Sequence, residues 1–453
     1  MDVLGKKILV IGLGKSGISA ARWLAKTGAQ VTVSEIKTES DMDPHLIQEM
    51  RELGVALEMG GHQEDTFLAP DMIVLSPGVP LDTPPLTAAR EKGITVLGEM
   101  ELASRMVDLP IVAVTGTNGK STVTAFIGYL LREAGNRVFV GGNIGTPLMD
   151  YAIGGWKADY AVVEVSSFQL DTMDSFRPTL SLLLNISPDH LDRYPNYEAY
   201  VQSKLKIFEN QERGHHAIVN DDDALLSRFS PKGEVTLLRY GLEEREGRQA
   251  YMKEGKIRIG LSGREEVLFT VEKWALPGRH NLENLMAALL AGLVLGVDPR
   301  VLQRSIEGFR GLPHRLEFVR RIGDVDFYND SKATNVDAAA RSIASFDRPL
   351  VLIAGGRDKG GDYSPLVAVA KEKVKKAIFM GEAKDLLAKA FEGVMAFSTA
   401  DSMDEAVSQA YFFAGKGDVV LLAPACSSFD MFTDYADRGK AYRRAVERLG
   451  DGE

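Results

Sequence analysis

Thr115-Gly116-Thr117-Asn118-Gly119-Lys120-Ser121-Thr122 joins a β-branched apolar run, Ile111-Val112-Ala113-Val114, to a segment in which Val123, Phe126, Ile127, Leu130 and Leu131 recur at helical spacing. The order strand, glycine loop, helix places the loop at a helix N-terminus. There the unpaired backbone N–H groups and the positive end of the helix dipole favour an anion. Glycines let the backbone approach closely, Lys120 adds charge, and a Ser121 or Thr122 hydroxyl suits Mg²⁺. Nucleoside triphosphate binding is the first expectation. The strict GxxxxGK[ST] pattern is not met, because Val114 stands where it wants glycine and Gly116 lies two residues closer to Gly119 and Lys120. An ordinary glycine-containing strand-to-helix turn is the plainer alternative.

The surroundings of the loop set the class of protein. A chain of 453 residues is too long for one ordinary core, and 45% hydrophobic with 26% charged residues is a soluble globular composition. A formal net charge of −10 and a sequence pI near 5.4 argue against a nucleic-acid partner, which needs a basic surface. One cysteine, Cys426, excludes an internal disulfide and Cys-rich zinc sites, as fits a reducing compartment. Met1 to Val10 runs into a strand without a signal-peptide pattern, and no apolar run reaches about 18 residues. A cytoplasmic protein without membrane insertion is expected.

Upstream, Lys7-Ile8-Leu9-Val10-Ile11-Gly12-Leu13-Gly14-Lys15-Ser16-Gly17 is a strand running into GxGxxG, followed by a helix and a second strand ending at Glu35. This βαβ unit admits a dinucleotide-binding oxidoreductase, since Glu35 falls 18 residues after Gly17, about where a ribose-binding acid belongs. A purely structural glycine turn is the other reading. Two phosphate loops at two strand ends, however, suggest two different nucleotides. Strands near Met72-Ile73-Val74-Leu75 and Thr95-Val96-Leu97 complete a first block.

Downstream, Glu164 lies near the end of an apolar strand, where an ionised carboxylate is costly unless paired or metal-bound. The segment Asn185 to Tyr194 gathers Asp189, His190, Asp192 and Arg193 after the next strand. His45, His62, His215 and His216 lack such surroundings and read as surface or packing residues. Short strands between Ala217 and Val271 predict a small, partly antiparallel sheet, and a helix is expected from about Asn281 to Leu295. A third block repeats the strand-loop-helix rhythm. Its loops Tyr328 to Asn335, Gly355 to Gly361 and Pro424 to Asp430 emerge on one edge of a parallel sheet, where Lys332, Lys359 and Ser428 can converge on a carboxylate. Three solvated loops are the plainer alternative. The expected fold is α/β in three domains: a Rossmann-like one at 1–109, a central P-loop-type one with a mostly parallel sheet and a small extra sheet at 110–312, and a Rossmann-like one at 313–453.

The loop Thr115 to Thr122, Glu164-Val165-Ser166-Ser167-Phe168-Gln169-Leu170, Asp189 to Tyr194, Leu276 to Asn281 and Asp330-Ser331-Lys332-Ala333-Thr334-Asn335 together resemble the Mur ligases, and the likeness runs from Gly12 to about Gly439. Asp330 to Asn335 and Pro424 to Phe429 look like the branch that adds D-glutamate. The resemblance implies an ADP-forming ligase of peptidoglycan precursor synthesis, in which ATP converts the carboxylate of UDP-N-acetylmuramoyl-L-alanine to an acyl phosphate that the D-glutamate amine attacks.

It also implies roles for residues. Gly116, Thr117, Asn118, Gly119, Lys120, Ser121 and Thr122 would hold ATP phosphates, with His280, Asn281, Asn284, Arg315 and Asp330 around the rest of the nucleotide and Asp330 on the ribose. Ser121, Thr122 and Glu164 would serve one Mg²⁺, and His190 with a carbamylated Lys204 a second; Lys120, Glu164, His190 and Lys204 are the expected catalytic set. Gly14, Lys15 and Ser16 would meet the UDP diphosphate, Glu35, Ile36 and Lys37 the uracil, Ser76, Pro77 and Gly78 the uridine, and Asn143 the sugar-peptide end. Lys332, Thr334, Lys359, Ser428, Phe429 and Tyr435 would form the D-glutamate site. Lys37 stands where relatives often carry arginine, and Tyr435 where phenylalanine occurs. The implied partners are these small molecules, acting on a monomer.

Overall fold

The computed structural model describes residues 2–189, 193–358, 360 and 362–449. Three sheets organise them. In the first, β1 (Lys7–Ile11), β2 (Gln30–Glu35), β3 (Ala56–Met59), β4 (Met72–Leu75) and β5 (Thr95–Gly98) run parallel in the order β3-β2-β1-β4-β5. The GxGxxG turn leads from β1 into the helix Lys15–Lys26. Its last glycine is there for space: a Cβ on Gly17 would lie 1.9 Å from the Gly12 carbonyl oxygen.

The second sheet comprises β6 (Ile111–Thr115), β7 (Val138–Gly142), β8 (Tyr160–Glu164), β9 (Leu180–Leu183), β10 (His216–Asn220), β11 (Thr236–Tyr240), β12 (Ala250–Lys253), β13 (Lys256–Ile259) and β14 (Val267–Thr270). β6 is buried at every position between β8 and β9, as its apolar β-branched sequence requires. The strands expected as a small extra sheet are hydrogen-bonded into this one: β10 and β11 extend it in parallel, and β12 to β14 finish it as an antiparallel meander. Pairing of β9 with β10 is long-range, which local sequence does not encode.

In the third sheet, β15 (Glu317–Ile322) is antiparallel to β16 (Val325–Asn329), and β17 (Leu350–Gly355), β18 (Val374–Met380), β19 (Phe397–Ala400) and β20 (Val419–Leu422) complete the order β15-β16-β20-β17-β18-β19. The helix expected from about Asn281 to Leu295 is observed as Arg279–Val294.

By compactness the chain divides into two units, Met1–Thr270 with Glu283–Ser305, and Val271–Leu282 with Ile306–Glu453. The first unit thus holds two sheets. One hydrophobic cluster runs through both, from Val10 and Val33 by way of Met100, Leu102 and Ala103 to Ala113, Phe139 and Leu148. Glu101 staples the junction: its buried carboxylate accepts from the N–H groups of Asp174, Ser175 and Phe176, the Ser175 hydroxyl and Arg105. Burial alone raises a carboxyl pKa, but the donors led by Ser175 and Arg105 hold Glu101 below its ordinary range. Among the described residues no helix is long and apolar enough to cross a membrane.

Candidate active site

The loop after β6 is built by side chains that reach it from neighbouring strands. Asn185, two residues past β9, accepts the Asn118 N–H at 2.8 Å and donates to the Asn118 carbonyl at 3.1 Å, while its own carbonyl takes the Thr117 N–H at 2.9 Å. The Thr117 hydroxyl meets Ser187 and the Tyr200 hydroxyl. Gly119 caps the helix Lys120–Glu133 with φ +83°, and a Cβ there would lie 2.3 Å from Asn284 Oδ1. Its glycine thus supplies both a left-handed turn and a close approach.

Charge is concentrated on this scaffold. Lys120 Nζ bends back to donate to the Gly116 and Thr117 carbonyls, both at 2.9 Å. Lys204, only 2% exposed in the helix Tyr197–Leu205, donates to the same Gly116 carbonyl at 2.9 Å and lies 4.7 Å over the Tyr200 ring. Burial, then the neighbouring Lys120, pushes the Lys204 ammonium down to about 7, against the pull of Asp189, Glu164 and Asp171. The neutral amine form of Lys204 is therefore more accessible than that of an exposed lysine. Ser121 Oγ donates to Glu164 Oε2 at 2.5 Å, and Asn143 Nδ2 donates to Glu164 Oε1 at 2.8 Å. Thr122 follows in the same helical turn, and His190 lies outside the described residues.

A buried hydroxyl in the first turn of a helix, facing a buried carboxylate at a strand end, offers hard oxygen donors, which fit Mg²⁺. Among the described residues no three His, Cys, Asp or Glu side chains are grouped so as to hold a metal ion. An ion there would keep most of its ligands as water or phosphate oxygen, as Mg²⁺ does.

The first phosphate turn opens on a cavity of about 610 Å³ lined by Gly14, Lys15, Ser16, Glu35, Ile36, Ser76, Pro77 and Gly78, all of them expected there. Lys37 is not among the lining residues; its N–H donates to Glu35 Oε1 at 3.0 Å, and Leu13 N–H donates to Glu35 Oε2 at 2.6 Å. Glu35 therefore braces the turn. His62 and Phe67 also line the cavity, and nothing in their local sequence singled them out.

In the second unit, Asp330 is buried, bonded by the Ser342 hydroxyl and by Leu316 N–H, and pushed up to about 6 by burial. Lys332 Nζ lies 3.9 Å over the Tyr435 ring, and Ser428 is buried close in sequence to exposed Phe429. Thr334 N–H donates to the Lys332 carbonyl, and the charge of Arg315 opposes part of the rise at Asp330. His280 and Asn281 open the helix Arg279–Val294, where burial lowers the His280 pKa and Asn281 Nδ2 holds the Pro277 carbonyl at 2.7 Å. Lys359 lies outside the described residues. Sequence reasoning missed Arg438, which is 1% exposed and donates to Ser331, Gly355, Cys426 and Ser427, tying together all three loops expected to converge.

Fold and loops define a phosphate-loop α/β protein with a second, Rossmann-like phosphate turn. Three family models match it: "Mur ligase MurD-like, N-terminal domain" over residues 6–98, "Mur ligase middle domain" over 114–292, and "Mur ligase, glutamate ligase domain" over 314–426. The chain is 43% identical to a UDP-N-acetylmuramoylalanine–D-glutamate ligase of Geotalea uraniireducens, covering 100% of this chain and 99% of that one. It is 46% identical to the protein of the same name from Desulfosudis oleivorans, covering 100% and 98%. Its fold is like that of the UDP-N-acetylmuramate-alanine ligase MurC of Thermotoga maritima, with TM-score 0.59 and 19% identity over 99% and 100% of the two chains. The chain belongs to the Mur ligase family.

Proposed function

We propose that this chain is an ATP-dependent ligase joining D-glutamate to UDP-N-acetylmuramoyl-L-alanine in cytoplasmic peptidoglycan precursor synthesis, acting as a monomer. The observation that supports ATP chemistry is the cluster of Lys120, Lys204, Ser121 and Glu164 around Gly116 to Gly119. The names of the full-length relatives support the choice of substrates. A carboxylate resists amines because oxide is a poor leaving group. Transfer of the γ-phosphoryl group forms a carboxyl-oxygen-to-phosphorus bond and releases ADP; the amine then attacks the acyl carbon, phosphate leaves, and the amine loses a proton.

On this reading Lys120 moves from its loop carbonyls to the β and γ phosphates, and the loop N–H groups orient them. Ser121, Thr122 and Glu164 would hold one Mg²⁺, and His190 with Lys204 a second; bound magnesium neutralises phosphate charge. The neutral fraction of Lys204 favours carbamylation, in which Nζ bonds the carbon of CO₂ and releases one proton. Residues 1–109 would hold the UDP moiety, 110–312 ATP, and 313–453 D-glutamate through Lys332, Thr334, Lys359, Ser428, Phe429 and Tyr435. The test is phosphate release from ATP with UDP-N-acetylmuramoyl-L-alanine and, in turn, D-glutamate, L-glutamate, L-lysine and meso-diaminopimelate. Release with D-glutamate alone is expected. Equal release with another amino acid overturns the substrate assignment, and ATP binding without amino-acid-dependent release makes the chain a nucleotide-binding module.

A further inference from the structure

Beside Glu35, His62 lines the 610 Å³ cavity and joins a polar array made with Ser34, the residue before Glu35 in β2, Glu58 in β3, and Thr66 beyond it. Ser34 Oγ lies 2.7 Å from Glu58 Oε1 and 2.8 Å from His62 Nδ1. Glu58 also accepts from the Gln63 N–H at 2.9 Å and from the Thr66 hydroxyl. Burial acts to raise its carboxyl pKa, but the hydrogen bonds from Thr66, Ser34 and Gln63 outweigh burial and hold it below the ordinary glutamate range. Glu58 is therefore ionised and has no proton to give. The single hydroxyl proton of Ser34 must point to Glu58, and His62 Nδ1 must then carry the proton shared with Ser34 Oγ. In the neutral ring Nε2 is left as an acceptor. Phe67 packs edge-on to the imidazole, with ring centroids 5.7 Å apart and planes at 79°, and restrains it.

The N-terminus of the helix Lys15–Lys26 suits the diphosphate, so a nucleoside extends over the C-terminal ends of β2 and β3, toward Glu35, Ile36 and His62. Each Glu35 oxygen accepts one backbone N–H, from Leu13 and from Lys37, which fixes the carboxylate beside His62 on the cavity lining. A uracil attached through N1 has one N–H, at N3. The geometry points to His62 as the residue that reads the base: its Nε2 accepts the uracil N3–H, with the tautomer fixed by Ser34 and Glu58. This rests on the uridine-nucleotide reading of the cavity.

Equilibrium binding of UDP and of UDP methylated at uracil N3 to the full chain tests it, in wild type, His62→Ala and His62→Gln. Wild type is expected to bind the methylated ligand about tenfold more weakly, the scale of one hydrogen bond lost with its partner left unpaired. His62→Ala should bind UDP about tenfold more weakly than wild type and the two ligands equally. His62→Gln, which keeps an acceptor oxygen, should restore part of the preference. A methylation penalty equal in wild type and His62→Ala, or absent from wild type, overturns the role of His62 while leaving the cavity a uridine-nucleotide site. Parallel loss of both ligands in both variants also overturns it, since that is a packing defect. If wild type binds no UDP, the uridine-nucleotide reading itself fails and the base-reading role with it.

Discussion

The molecule holds two phosphate-type loops at two strand ends, and they differ in the charge set against them. The turn Gly12 to Gly17 is shaped by close packing and uncharged contacts: Gly17 leaves no room for a side chain, Ser76 Oγ holds the Gly12 carbonyl at 2.9 Å, and the acid beside it, Glu35, accepts backbone N–H groups. The loop Gly116 to Gly119 is likewise held by side chains, Asn185 and Tyr200 among them, but is loaded with Lys120 and Lys204 against Ser121 and Glu164. A helix N-terminus suffices to hold a phosphate that stays whole. Moving a phosphoryl group demands charges set in advance where charge develops.

The sharpest way to break this contrast is Lys120→Ala. Turnover is expected to fall about 10²–10³-fold, the scale of removing one fixed donor to a developing charge, with unchanged affinity for the uridine nucleotide. Ordinary ATP-dependent phosphate release by this variant would sink the assignment. Lys204→Ala should lose about 10²-fold, the cost of a misplaced reacting group, and regain activity with added short carboxylic acids that stand in for a carbamate; inactivity without rescue removes the support for carbamylation. Gly17→Ala strikes the other loop. Its Cβ would lie 1.9 Å from a backbone oxygen, so the turn must shift; the KM for the nucleotide sugar should rise up to about 10²-fold, with ATP affinity kept. An equal loss for both substrates would mean that the two loops are not separate sites.

What sequence revealed about these loops follows from the range of the forces involved. Both phosphate turns, the buried strand before each and the helix Lys120–Glu133 were legible because glycine placement and apolar period act within a dozen residues. Glu164 was legible as a charge out of place, and its partners Ser121 and Asn143 justify that reading. Asn185 was visible only as the first residue of a polar segment, since its three contacts with the phosphate loop cross 67 or 68 positions. Arg438 gave no signal: its meaning lies in four carbonyls and a hydroxyl contributed by three loops up to 107 residues away. His62 reads as a surface histidine until Ser34 and Glu58 fix its tautomer.

The smallest expected effect sharpens the contrast through two buried acids. Glu164, at the second loop, has a side-chain donor on each oxygen. Glu99, which lies near Ser16 of the first turn, accepts Met149 N–H at 3.0 Å on one oxygen, and its other oxygen has no hydrogen-bond partner among the described residues. Burial, offset only in part by Met149 and Ser16, therefore pushes Glu99 up to about 7 from an ordinary 4.5. The folded state keeps a proton that the unfolded chain releases, so the contribution of Glu99 to stability is full below about pH 4.5 and is lost as pH rises through about 7. Between pH 5 and pH 7 that loss amounts to about 2 kcal/mol. Glu99→Gln carries a neutral isostere throughout, so urea denaturation should show wild type losing about 2 kcal/mol more than the variant over this interval. Asp330, also raised by burial, titrates in both proteins and cancels in the difference. Parallel pH profiles would show that Glu99 is ionised in the folded chain, and that the first loop, like the second, compensates its buried acid with donors.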